Sequence, residues 1–103
     1  MKNFEAIRHE LQGLRAVELE RWISAELVRA QGGPGAWEFH EIDIARIRLI
    51  LQLRDELEIE ERSLPVVLSL LDQLYDLRRR TSRMNQALAG LAPEARAAVL
   101  ARL

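Results

Sequence analysis

The chain has 103 residues, with 15 Lys and Arg against 16 Asp and Glu, and a net charge of −1 at pH 7. This length suits one modest core, and the near-neutral charge argues against a dedicated nucleic-acid binder, which is usually basic. The absence of cysteine excludes a disulfide framework, a thiolate metal site and a cysteine nucleophile. Because no apolar run reaches the ~18 residues of a membrane span or forms a signal peptide, we expect a cytoplasmic protein that does not enter a membrane.

The first part of the chain predicts two short helices and an extended segment. Apolar residues recur at helical spacing in residues 4–11, and after the break at Gly13 they do so again from about residue 17 to residue 27. A turn-forming, glycine-rich run occupies residues 31–35. Residues 37–39 then alternate apolar and polar side chains, as a short strand does. This order is the outline of a winged helix-turn-helix.

Residues 41–57 predict a third helix that is apolar on nearly every side. Such wide apolar coverage is typical of a helix that packs on more than one face, so we expect this helix to be central to the domain. Its exposed strip is expected to carry Arg48, Gln52 and Asp55, which are spaced i, i+4 and i+7.

A fourth, long helix is predicted from Leu64 to about Ala89. Ser63 is a suitable N-cap, and Pro65 is tolerated in the first turn. A second apolar row in the first half indicates that this half contacts two surfaces. The main row has the alternating spacing of a coiled-coil seam and consists of Val67, Leu70, Leu74, Leu77, Thr81, Met84, Leu88 and Leu91.

The apolar seam of the long helix requires a covering partner. Residues 93–103 are expected to fold back over part of it, with Val99, Leu100 and Leu103 as contacts. A helix of that length is marginal alone and covers little of the seam. We therefore expect a homodimer in which the long helices pair antiparallel about a two-fold axis.

The charges separate along the chain. Residues 1–62 hold 9 Lys and Arg against 13 Asp and Glu, whereas residues 63–103 hold 6 Arg against 3 Asp and Glu. The predicted head is therefore acidic and the long helix basic. Glu18, Glu20 and Glu26 lie on or beside the second helix, which enters the major groove in DNA-binding helix-turn-helix proteins. Carboxylates there would face phosphates, which argues against nucleic acid as the partner.

No residue pattern indicates catalysis, a metal or a cofactor. His9 and His40 are the two histidines, and neither stands at metal-ligand spacing with a second His. The serines lack a nucleophile context, and residues 32–35 lack the Lys-Ser/Thr pair of a phosphate loop. We expect no enzyme activity, no metal and no cofactor.

Three stretches resemble a known family. Residues 37–49 (WEFHEIDIARIRL) resemble the passage from wing to third helix in MerR-type regulators, which continue into a dimerising helix. Residues 53–57 (LRDEL) followed by 64–74 (LPVVLSLLDQL) resemble the CbpM chaperone-modulator family, whose leucine-rich helix ends in an Arg-rich segment. Residues 19–23 (LERWI) fit that family's second helix. The family usually starts with a strand-like or Ser/Thr-capped segment, whereas residues 4–11 are predicted as plain helix.

The resemblance implies an all-α protein. Residues 1–62 would form a MerR-like helix-turn-helix head with a minimal wing, and residues 63–103 would form the long coiled-coil-type dimerisation helix and a short C-terminal helix. CbpM proteins bind the J domain of the DnaJ-type co-chaperone CbpA and block its work with DnaK.

A J domain engages DnaK through the basic face of its second helix and a His-Pro-Asp turn, which an acidic, partly apolar surface can occupy. The residues expected to form that surface are Arg48, Gln52, Asp55, Glu56, Glu58, Glu60 and Glu61. Two alternatives stay open. One is a MerR-like DNA-binding transcriptional regulator with the arginines of the long helix on phosphates. The other is a small dimeric adaptor for a different partner.

Overall fold

A computed structural model describes all 103 residues. The protein is mostly helical, with five α-helices, a single 3-10 turn and a two-stranded antiparallel sheet. None of the helices is both long enough and apolar enough to cross a membrane. The elements in chain order are β1 (Lys2–Asn3), α1 (Phe4–Glu10), α2 (Ala16–Ser24), β2 (Glu38–Phe39), α3 (Glu41–Asp55), the 3-10 turn (Glu61–Ser63), α4 (Leu64–Ala89) and α5 (Pro93–Leu100).

The chain divides into two compact units, Met1–Val66 and Val67–Leu103. The division predicted between residues 62 and 63 stays a prediction. The core of the first unit consists of the buried side chains Ile7, Leu14, Leu19, Trp22, Val28, Phe39, Ile44, Ile47, Ile50, Leu53 and Leu64.

The N-terminal strand β1 was not predicted from the sequence. Lys2 pairs with Phe39 and Asn3 with Glu38, which ties the first residues of the chain to β2. Asn3 is also the N-cap of α1, because its side-chain oxygen accepts a hydrogen bond of 2.8 Å from the Ala6 N–H. The first helix is therefore preceded by a strand and a polar cap.

The glycine-rich run forms the predicted turn and closes a small hairpin. Two backbone hydrogen bonds join Gln31 and Glu38, at 2.8 and 2.9 Å. Gly32 has φ +91°, and a Cβ atom there would lie 2.5 Å from the Ala36 carbonyl oxygen. Only glycine fits this position without a shift of the backbone.

The second and third helices are shorter than predicted. The second ends at Ser24, since Glu26 adopts φ +60° and turns the chain. The third ends at Asp55 and not at residue 57. Of the apolar residues of the predicted helix, Ile42 near its start is 76% exposed and Leu57, beyond the end of α3, is 66% exposed.

The long helix α4 has the limits that the sequence predicted. Ser63 lies in the 3-10 turn, whose N–H groups bond back to the preceding residues, and Pro65 lies in the first turn of α4. In the second unit, α5 is anchored through Arg96, which donates hydrogen bonds to the carbonyl oxygens of Leu88, Ala89 and Leu91 at 3.0–3.5 Å.

The predicted packing of the C-terminal segment over the seam is wrong. Val99, Leu100 and Leu103 are 41%, 50% and 77% exposed. The physical reason is the length and attachment of α5, which has eight residues and is held at its first turn by a guanidinium group. Polar bonds at one end orient a short helix without burying its apolar face.

Candidate functional site

Helix α3 presents a shallow groove on its exposed side, which we call the α3 groove. It is lined by Arg48, Leu51, Gln52, Asp55 and Glu56. The predicted strip Arg48, Gln52 and Asp55 is therefore brought together on one helix face. The sequence analysis did not include Leu51, which adds a half-buried apolar side chain between the polar ones.

After α3 the chain forms a turn with three exposed glutamates and one exposed leucine. We call this segment the acidic edge; it consists of Glu56, Leu57, Glu58 and Glu60. Glu58 has φ +54°, and the Ile59 N–H closes the turn on the Leu53 carbonyl oxygen at 2.9 Å. The left-handed conformation is usual for glycine at the end of a helix and strained for other residues. Leu57, which stands between Glu56 and Glu58 in the sequence, is 66% exposed.

Some carboxylates of the acidic edge and of the adjoining end of α3 form ion pairs within the chain, and others do not. Asp55 accepts hydrogen bonds from Arg54, the shorter at 2.7 Å, and this guanidinium holds the pKa of Asp55 below its ordinary value. Glu60 pairs with Arg62 at 2.8 Å. Glu56 and Glu58 are exposed and make no ion pair with the chain. These two carboxylates are available to a partner.

Glu61, the last residue of the predicted surface, is bound by its own chain. Arg21 donates two hydrogen bonds to its carboxylate, at 2.7 and 2.8 Å, and the Trp22 indole N–H donates a third at 2.9 Å. The Arg21 guanidinium, aided by the indole N–H, lowers the pKa of Glu61 against the effect of its partial burial. Glu61 therefore ties the turn after α3 to helix α2.

A second set of hydrogen bonds, made by the Glu18 carboxylate of α2, fixes the end of α3. Glu18 is buried, and its carboxylate accepts hydrogen bonds from the guanidinium groups of Arg54 and Arg15 and from the Arg15 backbone N–H. Burial alone would raise the pKa of Glu18, but these hydrogen bonds outweigh burial, and the pKa lies below its ordinary value. Arg54 also lies over the Trp22 ring, 5.9 Å from its centroid.

Arg48, at the other end of the α3 groove, is held by an ion pair with Glu10 at 2.7 Å. Lys2 and Arg48 both hold the pKa of Glu10 below its ordinary value, Lys2 having the larger effect. The polar lining of the groove thus consists of one cation held by an ion pair, one amide and the carboxylates of Asp55 and Glu56.

Of the residues predicted for the dimer interface, seven lie along one side of α4 and Leu91 follows its end. They remain largely accessible in the single chain. The exposed fractions are 60% for Leu70, 41% for Leu74, 60% for Leu77, 45% for Met84 and 37% for Leu91; Thr81 is also exposed, and Val67 and Leu88 are half-buried. Within the seam, no side chain reaches the burial of the core.

The arginines of α4 are mostly engaged by neighbours on the same helix. Arg79 and Arg80 pair with Asp76 at 3.6 and 3.0 Å, and Arg78 lies over the Tyr75 ring at 6.0 Å. Arg83 is exposed. No three His, Cys, Asp or Glu side chains are grouped as metal ligands would be. Comparison of the chain with protein-family models, with curated proteins and with solved structures finds no match.

Proposed function

We propose that this protein is a chaperone modulator that binds the J domain of a DnaJ/CbpA-type co-chaperone and inhibits its action with DnaK. The proposal starts from the resemblance of residues 37–49, 53–57 and 64–74 to MerR-like and CbpM sequences. It includes a cytoplasmic location, as expected from the sequence. The acidic edge beside the α3 groove is the surface that would receive the J domain.

The observation that carries the proposal is the pair of free carboxylates around an exposed apolar side chain. Glu56 and Glu58 can meet the basic face of a J domain while Leu57, 66% exposed, gives a small apolar contact at the centre. Glu61 and Arg21 hold the segment in place, so the acidic groups are positioned before binding. A positioned surface loses less conformational freedom when a partner binds.

The start of the chain also supports the MerR-like head. The sequence predicted a plain first helix, whereas the family usually starts with a strand-like or capped segment. Strand β1 and the N-cap Asn3 agree with that family pattern. The Gln31–Glu38 hairpin has the size and place of a minimal wing.

The DNA-binding alternative finds less support in the helix that would enter a major groove. On α2, Arg21 is bound to Glu61 and Glu18 is buried with Arg54. Its exposed side chains include Val17 and Glu20. The commonest base contacts are made by Arg, Lys, Asn and Gln, and the one such residue of α2, Arg21, is engaged by Glu61.

Calorimetric titration with a purified J domain tests the proposal. We expect the double variant Glu56→Lys with Glu58→Lys to raise the Kd about tenfold or more, since two attractive contacts become repulsive. The matched control is Glu20→Lys with Glu94→Lys, which changes the net charge equally at exposed residues that are not part of the acidic edge.

Binding of the control variant at the native affinity, together with weakened binding of the first variant, supports the proposal. Equal affinity for all three proteins, or no binding by the native chain, contradicts it. Duplex DNA titrated under the same conditions reports on the alternative, because binding through several phosphates weakens steeply as salt is raised.

A further inference from the structure

The α3 groove has opposite charges at its two ends. Arg48 lies at the end nearer the start of α3, and Glu56, the C-cap of the helix, lies at the other end. At 1.5 Å of rise per residue, these two positions are about 12 Å apart along the helix axis. Gln52 and the half-buried Leu51 lie between them. The middle of the groove therefore consists of an amide and an apolar side chain.

The cationic end of the groove is held in place by the chain and still has free donors. The Nη2 group of Arg48 donates a hydrogen bond of 2.7 Å to one oxygen of Glu10, and Lys2 donates to the other oxygen. Two cations therefore share one carboxylate. Of the three Arg48 nitrogens, Nη2 alone donates within the chain, and the side chain is 49% exposed. Nε and Nη1 can donate to a carboxylate of a partner.

The anionic end of the groove combines a paired carboxylate with a free one. Both oxygens of Asp55 accept hydrogen bonds from Arg54, which is also bound to the buried Glu18. Glu56 is exposed and makes no ion pair with the chain. The negative charge available to a partner at this end is therefore that of Glu56, and Glu58 of the acidic edge continues it.

We propose that the α3 groove receives a helix of the partner in which one face has a cationic and an acidic side chain two turns apart, with an apolar side chain between them. This inference rests on the proposed function and specifies the chemistry of the J-domain segment that the groove recognises. The acidic side chain accepts hydrogen bonds from Arg48, the apolar side chain packs on Leu51, and the cationic side chain pairs with Glu56.

The two cations at one end of the groove exclude a partner face that is basic throughout. Such a face would place a cation beside Arg48 and Lys2, where like charges oppose binding. An acidic side chain at that position is attracted instead. Arg48 is thus a specificity-determining residue, which distinguishes a face of mixed charge from one that is only basic.

A helix fits the α3 groove better than an extended segment does. Residues i and i+7 of a helix lie on one face and are about 10.5 Å apart along its axis, close to the separation of Arg48 and Glu56. A helix also satisfies its own backbone hydrogen bonds, whereas an extended segment has N–H and C=O groups that need partners. The middle of the groove offers one such partner, the Gln52 amide.

The helix dipoles favour an antiparallel direction for the bound helix. The end of α3 next to Glu56 is the negative end of its dipole, and the N-terminal end of a partner helix is positive. An antiparallel partner places its N-terminal end and its cation beside Glu56, and its acidic residue beside Arg48. In the partner's sequence, the cationic residue therefore precedes the acidic one by seven positions.

A charge-swap series measured by calorimetric titration tests the proposal. Arg48→Glu is titrated with J-domain variants in which each exposed acidic residue is changed singly to Lys, and Glu56→Lys with variants in which each exposed basic residue is changed singly to Glu. We expect Arg48→Glu to raise the Kd for the unaltered J domain about fivefold or more, and one acidic-to-Lys variant to restore the affinity. The basic position that restores binding of Glu56→Lys should precede that acidic position by seven residues in the same helix.

Two further variants separate an effect on binding from an effect on folding. Arg48→Gln keeps an amide donor for Glu10 and removes only the charge, and it should raise the Kd about two- to fivefold, as expected for an exposed ion pair. Arg29→Glu is the matched control, since Arg29 is exposed in the first unit and does not line the groove. It should bind the J domain with the native affinity.

The remaining outcomes overturn the inference in distinguishable ways. Native affinity of both Arg48 variants contradicts the inference and leaves the proposed function standing. A loss of affinity that no acidic-to-Lys variant restores also contradicts it, since Arg48 then acts on the fold alone. A restoring pair in the reverse order along the J domain contradicts the antiparallel direction. Absence of binding by the native chain contradicts the proposed function, and this inference with it.

Discussion

At the scale of single residues, Glu58 holds a backbone conformation that glycine adopts with less strain. Its φ of +54° is in the left-handed region, and its side chain is exposed without an ion pair in the chain. A strained residue whose side chain does nothing within the fold points to a use outside it. We therefore expect Glu58 to lower the stability of the fold while it contributes to the binding of a partner.

Replacement of Glu58 by glycine is expected to stabilise the protein and weaken J-domain binding. The free energy of unfolding should rise by about 0.5–1 kcal/mol, since glycine relieves the left-handed strain. Denaturant unfolding and calorimetric titration measure the two effects. The matched control is Glu26→Gly, at φ +60° and away from the acidic edge, which should gain stability with unchanged binding. Native binding by Glu58→Gly would contradict the assigned role.

Replacement of Glu18 by glutamine is expected to lower the free energy of unfolding by about 2 kcal/mol at neutral pH, because buried hydrogen bonds to charged groups are lost. The folded-state pKa of Glu18 is lower than the ordinary 4.5, so its contribution is present above that value and is lost as the pH falls through the folded-state pKa.

Urea unfolding at pH 7 and at about pH 3 checks the Glu18 prediction, since pH 3 is below the ordinary pKa of 4.5, where protonation of the unfolded chain reduces the contribution of the folded-state carboxylate. The difference between native and variant should shrink there. Glu20→Gln, on the same helix but exposed, should change neither value. A difference that persists undiminished in acid would show that the ion pair is not its cause.

The hairpin glycines allow a prediction with an internal control. Gly32→Ala should lower the free energy of unfolding by about 1–2 kcal/mol or more, because the left-handed backbone is strained for alanine and the new Cβ would lie 2.5 Å from a carbonyl oxygen. Gly33→Ala adds a Cβ with no atom within 4 Å and should have little effect. Thermal unfolding of the two variants distinguishes them, and equal stability would contradict the description of this turn.

At the scale of elements, helix limits could be predicted wherever the sequence contains a strong local signal. Pro65 and Gly90 delimit α4, and the structure has the predicted bounds. Strand β1 could not be predicted, because two residues show no periodicity and its partner lies some 36 residues away. The early ends of α2 and α3 come from left-handed glutamates, Glu26 and Glu58, where sequence patterns lead one to expect glycine.

A charge introduced on the apolar row of α4 is expected to weaken the predicted homodimer, whereas the same charge on another side of the helix is not. Leu77→Glu is expected to raise the dimer dissociation constant at least tenfold and to lower the far-ultraviolet helical signal, because the second half then lacks a covering partner. Ser82→Glu, away from the row, should keep both properties. Sedimentation and circular dichroism measure them, and a dimer unaffected by Leu77→Glu would show that the row is not the interface.

At the scale of the whole molecule, the net charge of −1 conceals two units of opposite sign. In the first unit acidic residues outnumber basic ones, and in the second unit, which contains α4 and α5, basic residues outnumber acidic ones. This division could be predicted by counting along the chain. Whether a given carboxylate is paired within the chain could not be predicted in this way. Glu61 pairs with Arg21, 40 positions earlier, and Glu18 pairs with Arg54, 36 positions later.

The helix face of the candidate surface could therefore be predicted from the sequence, whereas the exposure and pairing of its side chains could not. Helical spacing placed Arg48, Gln52 and Asp55 on one face, where the α3 groove is found. It could not show that Leu57, expected among the packed residues of the third helix, is exposed between two free carboxylates. Exposure depends on where the helix ends, and that end is set by the backbone at Glu58.

The central claim, inhibition of a J-domain co-chaperone, is tested most directly by ATP hydrolysis. The measurement is the rate at which DnaK hydrolyses ATP when stimulated by a DnaJ/CbpA-type co-chaperone, with increasing amounts of this protein. The account predicts that the native chain and the Glu20→Lys with Glu94→Lys control reduce the stimulated rate toward the basal rate of DnaK, and that Glu56→Lys with Glu58→Lys does so only at about tenfold higher concentration. Stimulation that stays constant at saturating native protein would contradict it.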